Sequence, residues 1–96
     1  DEYIVGGLYV CPSKHIVRAN GNDVVLTYKE FELLCLLISN RGTVFNRDQI
    51  LQRIWGFEFD GENRTVDVHI RTLRTKLGEC GRLVETVRGI GYKIGG

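Results

Sequence analysis

The stretch that most restricts this chain is residues 63–77, N-R-T-V-D-V-H-I-R-T-L-R-T-K-L. Val66, Ile70, Leu73 and Leu77 recur there at steps of four, three and four residues. Such spacing predicts an amphipathic helix with one apolar stripe. On the opposite side the same helix carries Arg64, Val68, Arg71 and Thr75, flanked by Asp67 and Thr72. His69, Arg74 and Lys76 occupy the shoulders. Arginines, hydroxyls and one small apolar residue on an exposed face suit a DNA major groove. Arginine reaches guanine edges or phosphates, and a valine methyl meets a thymine methyl. A solvated basic face on an ordinary surface helix gives the same pattern, and this stretch alone does not separate the two.

The totals narrow the choice. Ninety-six residues make one domain with one modest core. The net charge is only +1, so any affinity for nucleic acid must come from where the charge lies. Arg64, Arg71, Arg74, Lys76, Arg82, Arg88 and Lys93 all fall in the last third of the chain. No signal-peptide pattern opens the sequence, and no apolar run is long enough to span a bilayer. The first residue is Asp rather than Met, which fits a domain excised from a longer chain. Cys11, Cys35 and Cys80 are odd in number and irregular in spacing, unlike a disulfide framework or a zinc signature. They are expected to be reduced thiols in a cytosolic protein, with Cys35 serving as a small hydrophobe on an apolar helix face.

Taken in order, the chain predicts an opening antiparallel sheet of four strands. Residues 3–5, 8–11, 15–19 and 24–26 are rich in strand formers, and Asn20-Gly21 is a strong hairpin signal. Thr27 and Glu30 form a capping box ahead of a helix with Phe31, Leu34, Cys35 and Ile38 on one stripe, widened by Leu33, Leu36 and Leu37. Asn40-Arg41-Gly42 stops it. A short extended piece at 43–45 precedes a second helix, capped by Asn46 with Gln49 and turned inward by Ile50, Leu51, Ile54 and Trp55. The loop 56–61 places Phe57 and Phe59 among Glu58 and Asp60. After the third helix, residues 83–87 and 92–94 flank Arg88-Gly89-Ile90-Gly91 as a terminal hairpin, whose inward face the alternation leaves open. Two helices in close succession, followed by a hairpin, fit a helix-turn-helix with a wing.

Several stretches in this order resemble the C-terminal DNA-binding domain of OmpR/PhoB-type two-component response regulators. They are Leu26-Thr27 with Glu30-Phe31-Glu32-Leu33-Leu34, then Arg47 with Leu51 and Trp55. Next come Arg64-Thr65-Val66-Asp67-Val68-His69-Ile70-Arg71 with Leu73-Arg74-Lys76-Leu77, and last Thr86-Val87-Arg88-Gly89-Ile90-Gly91-Tyr92. The resemblance covers nearly the whole chain. It implies an α+β winged helix-turn-helix: a four-stranded antiparallel sheet, three helices and a C-terminal β-hairpin wing. It also implies sequence-specific binding to double-stranded DNA, with the third helix in the major groove and the wing in the adjacent minor groove. Members bind as head-to-tail dimers on direct repeats, and a receiver domain, absent from this chain, completes the protein.

By motif position, Arg47, Trp55, Arg64, His69, Arg71 and Arg74 resemble phosphate-holding residues, and Asp67, Val68 and Thr72 resemble base-facing ones. Thr86 and Tyr92 resemble wing contacts near the DNA backbone, and Arg88 the minor-groove finger. Phe57, Glu58, Phe59 and Asp60 resemble the segment that touches RNA polymerase in some members. Many relatives carry an arginine where Thr72 stands, so no relative's target sequence transfers. Other roles remain open at this stage. Trp55 also suits a core anchor, His69 an internal hydrogen bond, Thr86 a plain strand position, and Phe57 and Phe59 packing beneath their loop. The resemblance implies no cofactor or metal. An enzyme would need a convergent acid, base or nucleophile set, and neither that nor a phosphate-binding glycine loop is present in the sequence. Two rival binding readings are the same domain joined to a membrane anchor or to a sensor other than a receiver, and a winged helix used only for protein contacts.

Overall fold

Asn20 and Gly21 both adopt positive φ, 52° and 85°, the backbone that a two-residue hairpin turn of the primed type needs. The computed structural model, which describes residues 1–57, 59 and 61–95, builds its N-terminal sheet around this turn. Strands β1 (Tyr3–Val5), β2 (Leu8–Cys11), β3 (Ile16–Ala19) and β4 (Asn22–Asp23) lie antiparallel in sequence order. Val5, Leu8, Val10, Val17 and Ala19 point into the core, while Ile4 and Arg18 face water. The fourth strand falls earlier than the expected 24–26. The turn pairs Ala19 with Asn22 and Arg18 with Asp23, and regular pairing ends there. Only the Val24 N–H continues the ladder, donating to the Val17 carbonyl at 2.9 Å. Beyond it the chain leaves the sheet to deliver Thr27 as a helix cap.

Helix α1 spans Tyr28–Ser39, and its capping box is formed in both directions. The Glu30 N–H donates to Thr27 Oγ1 at 3.3 Å, and the Thr27 N–H donates to Glu30 Oε1 at 2.9 Å. Phe31, Leu33, Leu34, Leu37 and Ile38 are buried, whereas Cys35 is only half-buried. Strand β5 (Phe45–Asn46) leads into α2 (Arg47–Ile50), where Asn46 and Gln49 form the second capping box. The helix then loosens into a π turn, Leu51–Trp55, and the Gly56 N–H meets both the Leu51 and Gln52 carbonyls. Helix α3 is Arg64–Leu77, with Val66, Ile70, Leu73 and Leu77 buried as the spacing required. A tight helical connection, Gly78–Leu83, reaches the wing strands β6 (Val84–Val87) and β7 (Gly91–Ile94).

The result is an α+β winged helix-turn-helix with three helices, a four-stranded sheet and a C-terminal hairpin. One pairing was not visible in the sequence. β5 joins the hairpin, giving a second sheet in the order β5-β7-β6. Phe45 faces Tyr92 and Asn46 faces Gly91. The approach is so close that a Cβ on Gly91 would sit 2.0 Å from the Phe45 carbonyl oxygen, so only glycine fits without displacing backbone. The hairpin's inward face is settled as well: Val84, Tyr92 and Ile94 are buried. Leu83 belongs to the preceding tight turn and is half-buried.

Candidate nucleic-acid interface

Because Val66, Ile70, Leu73 and Leu77 are consumed by the core, α3 must show its other side to water. Arg64, Val68, Arg71 and Thr75 are all exposed and share that side, with Val68 retaining 41% of its surface. Val68 is the one apolar side chain in this row. The wing tip is formed by the turn between β6 and β7. The Ile90 N–H donates to the Val87 carbonyl at 2.9 Å, and Gly89 at φ 76° makes the turn that only glycine adopts freely. Arg88, Gly89 and Ile90 are all exposed there.

Other expected contact residues are bonded to neighbouring elements of the domain. Thr72 does not face outward. It is half-buried, and its Oγ1 donates to Glu30 Oε2 at 2.7 Å. The cause is a buried carboxylate. Glu30 is 3% exposed and receives Lys76 Nζ at 2.7 Å as well as the Thr27 N–H. Burial alone would push its carboxyl up. The hydrogen bonds from Lys76, from the Thr27 N–H and from Thr72 outweigh burial and hold it at about 2. In the sequence Glu30 stands out as half of a capping box and as part of the first family motif. No local spacing reports that Thr72 and Lys76, four apart on another helix, converge on it.

Asp67 is likewise bonded within the domain while part of its side chain stays open to solvent. Its Oδ1 accepts from Arg47 Nε at 2.8 Å and from the Tyr92 hydroxyl at 2.5 Å. Burial pushes Asp67 up, and the bonds from Tyr92 and Arg47 more than reverse this, leaving it below its ordinary value. Tyr92 is only 5% exposed, so its ring belongs to the core and only its hydroxyl edge takes part in this cluster. Burial, then the Asp67 carboxylate, raises its phenol. Arg74 is half-buried and bonded to the wing through the Val84 carbonyl and Thr86 Oγ1. The guanidinium carbons of Arg47 and Arg74 lie 5.9 and 5.7 Å from the Tyr92 ring centre.

A third cluster joins α2 to α3. His69 Nδ1 donates to the Thr65 carbonyl at 2.9 Å, and its ring meets Trp55 edge-on at 4.8 Å. Phe59 packs against Trp55 from the loop, with ring centres 5.8 Å apart. Lys29, which the sequence did not flag, donates to the Ile54 carbonyl at 2.8 Å and lies over the Trp55 ring. Phe57 stands 84% exposed. Glu58 and Asp60 lie outside the described residues. Among the described residues no cluster of potential metal ligands occurs, and no helix is long and apolar enough to cross a membrane.

This geometry has known counterparts. The family described as "Transcriptional regulatory protein, C terminal" matches residues 21–94. The regulatory protein VanRB of Enterococcus faecalis is 44% identical over 93 residues, which is 97% of this chain and 41% of that protein. The response regulator DrrB of Thermotoga maritima, an OmpR/PhoB homolog, superposes with a TM-score of 0.89 at 31% identity, covering 99% of this chain and 44% of that one. The RstA DNA-binding domain of Klebsiella pneumoniae, solved in complex with the RstA box, gives a TM-score of 0.85 at 32% identity, covering 99% of this chain and 97% of that one. The chain thus spans under half the length of the whole regulators it matches. By its motifs, its winged helix and these matches, the chain belongs to the C-terminal family of transcriptional regulatory proteins, of the OmpR/PhoB type.

Proposed function

We propose that this chain is the DNA-binding output domain of a longer two-component response regulator and controls transcription from specific duplex sites. It has no catalytic role. The observation that carries the reading is the exposed row Arg64, Val68, Arg71 and Thr75, opposite a fully buried stripe on the same helix. In this reading α3 enters the major groove. Arg64 and Arg71 take phosphates or guanine edges, and Val68 meets a thymine methyl. Arg88 enters the neighbouring minor groove, most favourably where A·T pairs narrow it. Trp55 and His69 sit at the α2–α3 junction, where a phosphate from the flanking strand would pass.

A receiver domain accompanies this domain in the complete protein, and two copies sit head to tail on direct repeats. The loop 56–61, with Phe57 exposed at its start, offers a surface to RNA polymerase. The longer regulators VanRB and DrrB, of which the chain covers under half, support the receiver domain, and a DNA-binding role suits a protein of the cytoplasm. Titrating the chain with duplex DNA over a range of salt tests the core of the proposal. Each phosphate neutralised adds about 0.9 to the slope of log K against log salt. Two to four such contacts give a slope of roughly −2 to −4. Arg88→Ala is expected to weaken binding to an A·T-flanked site about tenfold. A slope of zero refutes DNA binding and leaves a winged helix used for protein contacts.

A further inference from the structure

Arg74 ties the recognition helix to the wing. Its Nε donates to the Val84 carbonyl at 2.9 Å and its Nη2 to Thr86 Oγ1 at 2.8 Å, both in β6. Two helical turns earlier, Asp67 receives the hydroxyl of Tyr92 in β7. One helix therefore grips both strands of the hairpin, at points seven residues apart along the same side. Asp67 also accepts from Arg47 of α2, and β5, just ahead of α2, pairs directly with β7. The Tyr92 ring lies at the centre, with the guanidinium groups of Arg47 and Arg74 within 6 Å of it. A lone two-stranded hairpin is marginal in water. Here β5 and the buried Val84, Tyr92 and Ile94 anchor its base, and the bonds from α3 add to what fixes the direction of its tip.

We propose that Arg74 and Asp67 are positioning residues that lock the wing to α3, so that Arg88 and the exposed row meet the duplex as one preset unit. This builds on the reading above, in which both elements touch DNA. Arg74 then differs in kind from Arg64 and Arg71. Two of its donors are committed to β6, and it acts on DNA through Arg88 rather than through a contact of its own. A preset arrangement removes the ordering penalty that a loose wing would incur on binding.

A double-mutant cycle tests this with the present chain, one A·T-flanked duplex and fixed salt. Arg74→Met keeps the stem and removes the donors. Arg88→Ala is expected to weaken binding about tenfold in the parent and less than about threefold in the Arg74→Met background. Amide exchange in β6 and β7 is expected to quicken about tenfold or more in Arg74→Met without DNA. Tyr92→Phe, which deletes only the hydroxyl held by Asp67, should diminish the Arg88 effect in the same direction. It also carries the comparison if Arg74→Met loses cooperative unfolding. If Arg88→Ala costs the same factor in every background and wing exchange is unchanged, Arg74 is an independent contact and the proposal is overturned. If Arg88→Ala changes nothing even in the parent, the minor-groove reading falls separately. Exchange then decides the clamp by itself: faster exchange supports it, and unchanged protection overturns it.

Discussion

Glu30 is the most informative residue to perturb for stability. Its carboxylate is 3% exposed and accepts from the Thr27 N–H, the Thr72 hydroxyl and Lys76. It joins the start of α1 to the middle of α3. Glu30→Gln keeps the shape and removes the charge. Burial opposes ionisation and the three donors favour it, leaving the folded value at about 2 against an ordinary 4.5. A carboxyl depressed by folding stabilises the protein above its unfolded value, and that stabilisation disappears as pH falls toward the folded value. Tenfold steps across that interval correspond to roughly 3 kcal/mol at neutral pH, taken as an upper figure. Urea unfolding of parent and Glu30→Gln at pH 7, 5 and 3 measures it. The parent should be more stable by about 2–3 kcal/mol at pH 7 and pH 5, with less than about half of this left at pH 3. Other titrating groups are common to both proteins and cancel in the difference. Equal stability at pH 7, or a difference indifferent to pH, would refute the reasoning and reduce Glu30 to a helix cap worth about 1 kcal/mol.

Two further expectations separate recognition from folding. Val68→Ala should weaken the preferred site by about 1 kcal/mol, measured by fluorescence anisotropy, while melting shifts little because the side chain is exposed. A large drop in melting temperature would make Val68 a core residue instead. Phe57→Asp should impair transcription activation in a reconstituted assay at unchanged DNA affinity, since Phe57 is 84% exposed on the loop after α2. Equal loss of both would mark the loop as structural.

The architecture was legible because its signals are local. Asn20-Gly21 announced a turn with two positive φ values, Thr27 with Glu30 and Asn46 with Gln49 announced helix starts, and four apolar residues announced the buried side of α3. Each depends on neighbours a few residues away. What the sequence hid is non-local. Nothing near Phe45 says that it pairs with Tyr92, and nothing near Thr72 says that a carboxylate from α1 will claim its hydroxyl. The helical wheel divides α3 into inside and outside, but Asp67, Thr72 and Arg74 lie at the margins. There the neighbouring element decides. α1 takes Thr72, α2 and β7 take Asp67, and β6 takes Arg74. The family resemblance names motif positions and carries no information about which marginal residue a free domain turns inward.

That division along α3 has a consequence for how such domains diverge. Residues that hold the helix in place, Asp67, Thr72, Arg74 and Lys76, are tied to partners on four different elements. Arg64, Val68, Arg71 and Thr75 make no side-chain contact with those elements among the described hydrogen bonds and ion pairs. Substitutions in the first set disturb the scaffold, while those in the second fall where surface changes usually shift stability by less than about 0.5 kcal/mol. Target preference can therefore drift from one gene duplicate to the next without a compensating change elsewhere in the domain, so long as the outward row alone is rewritten.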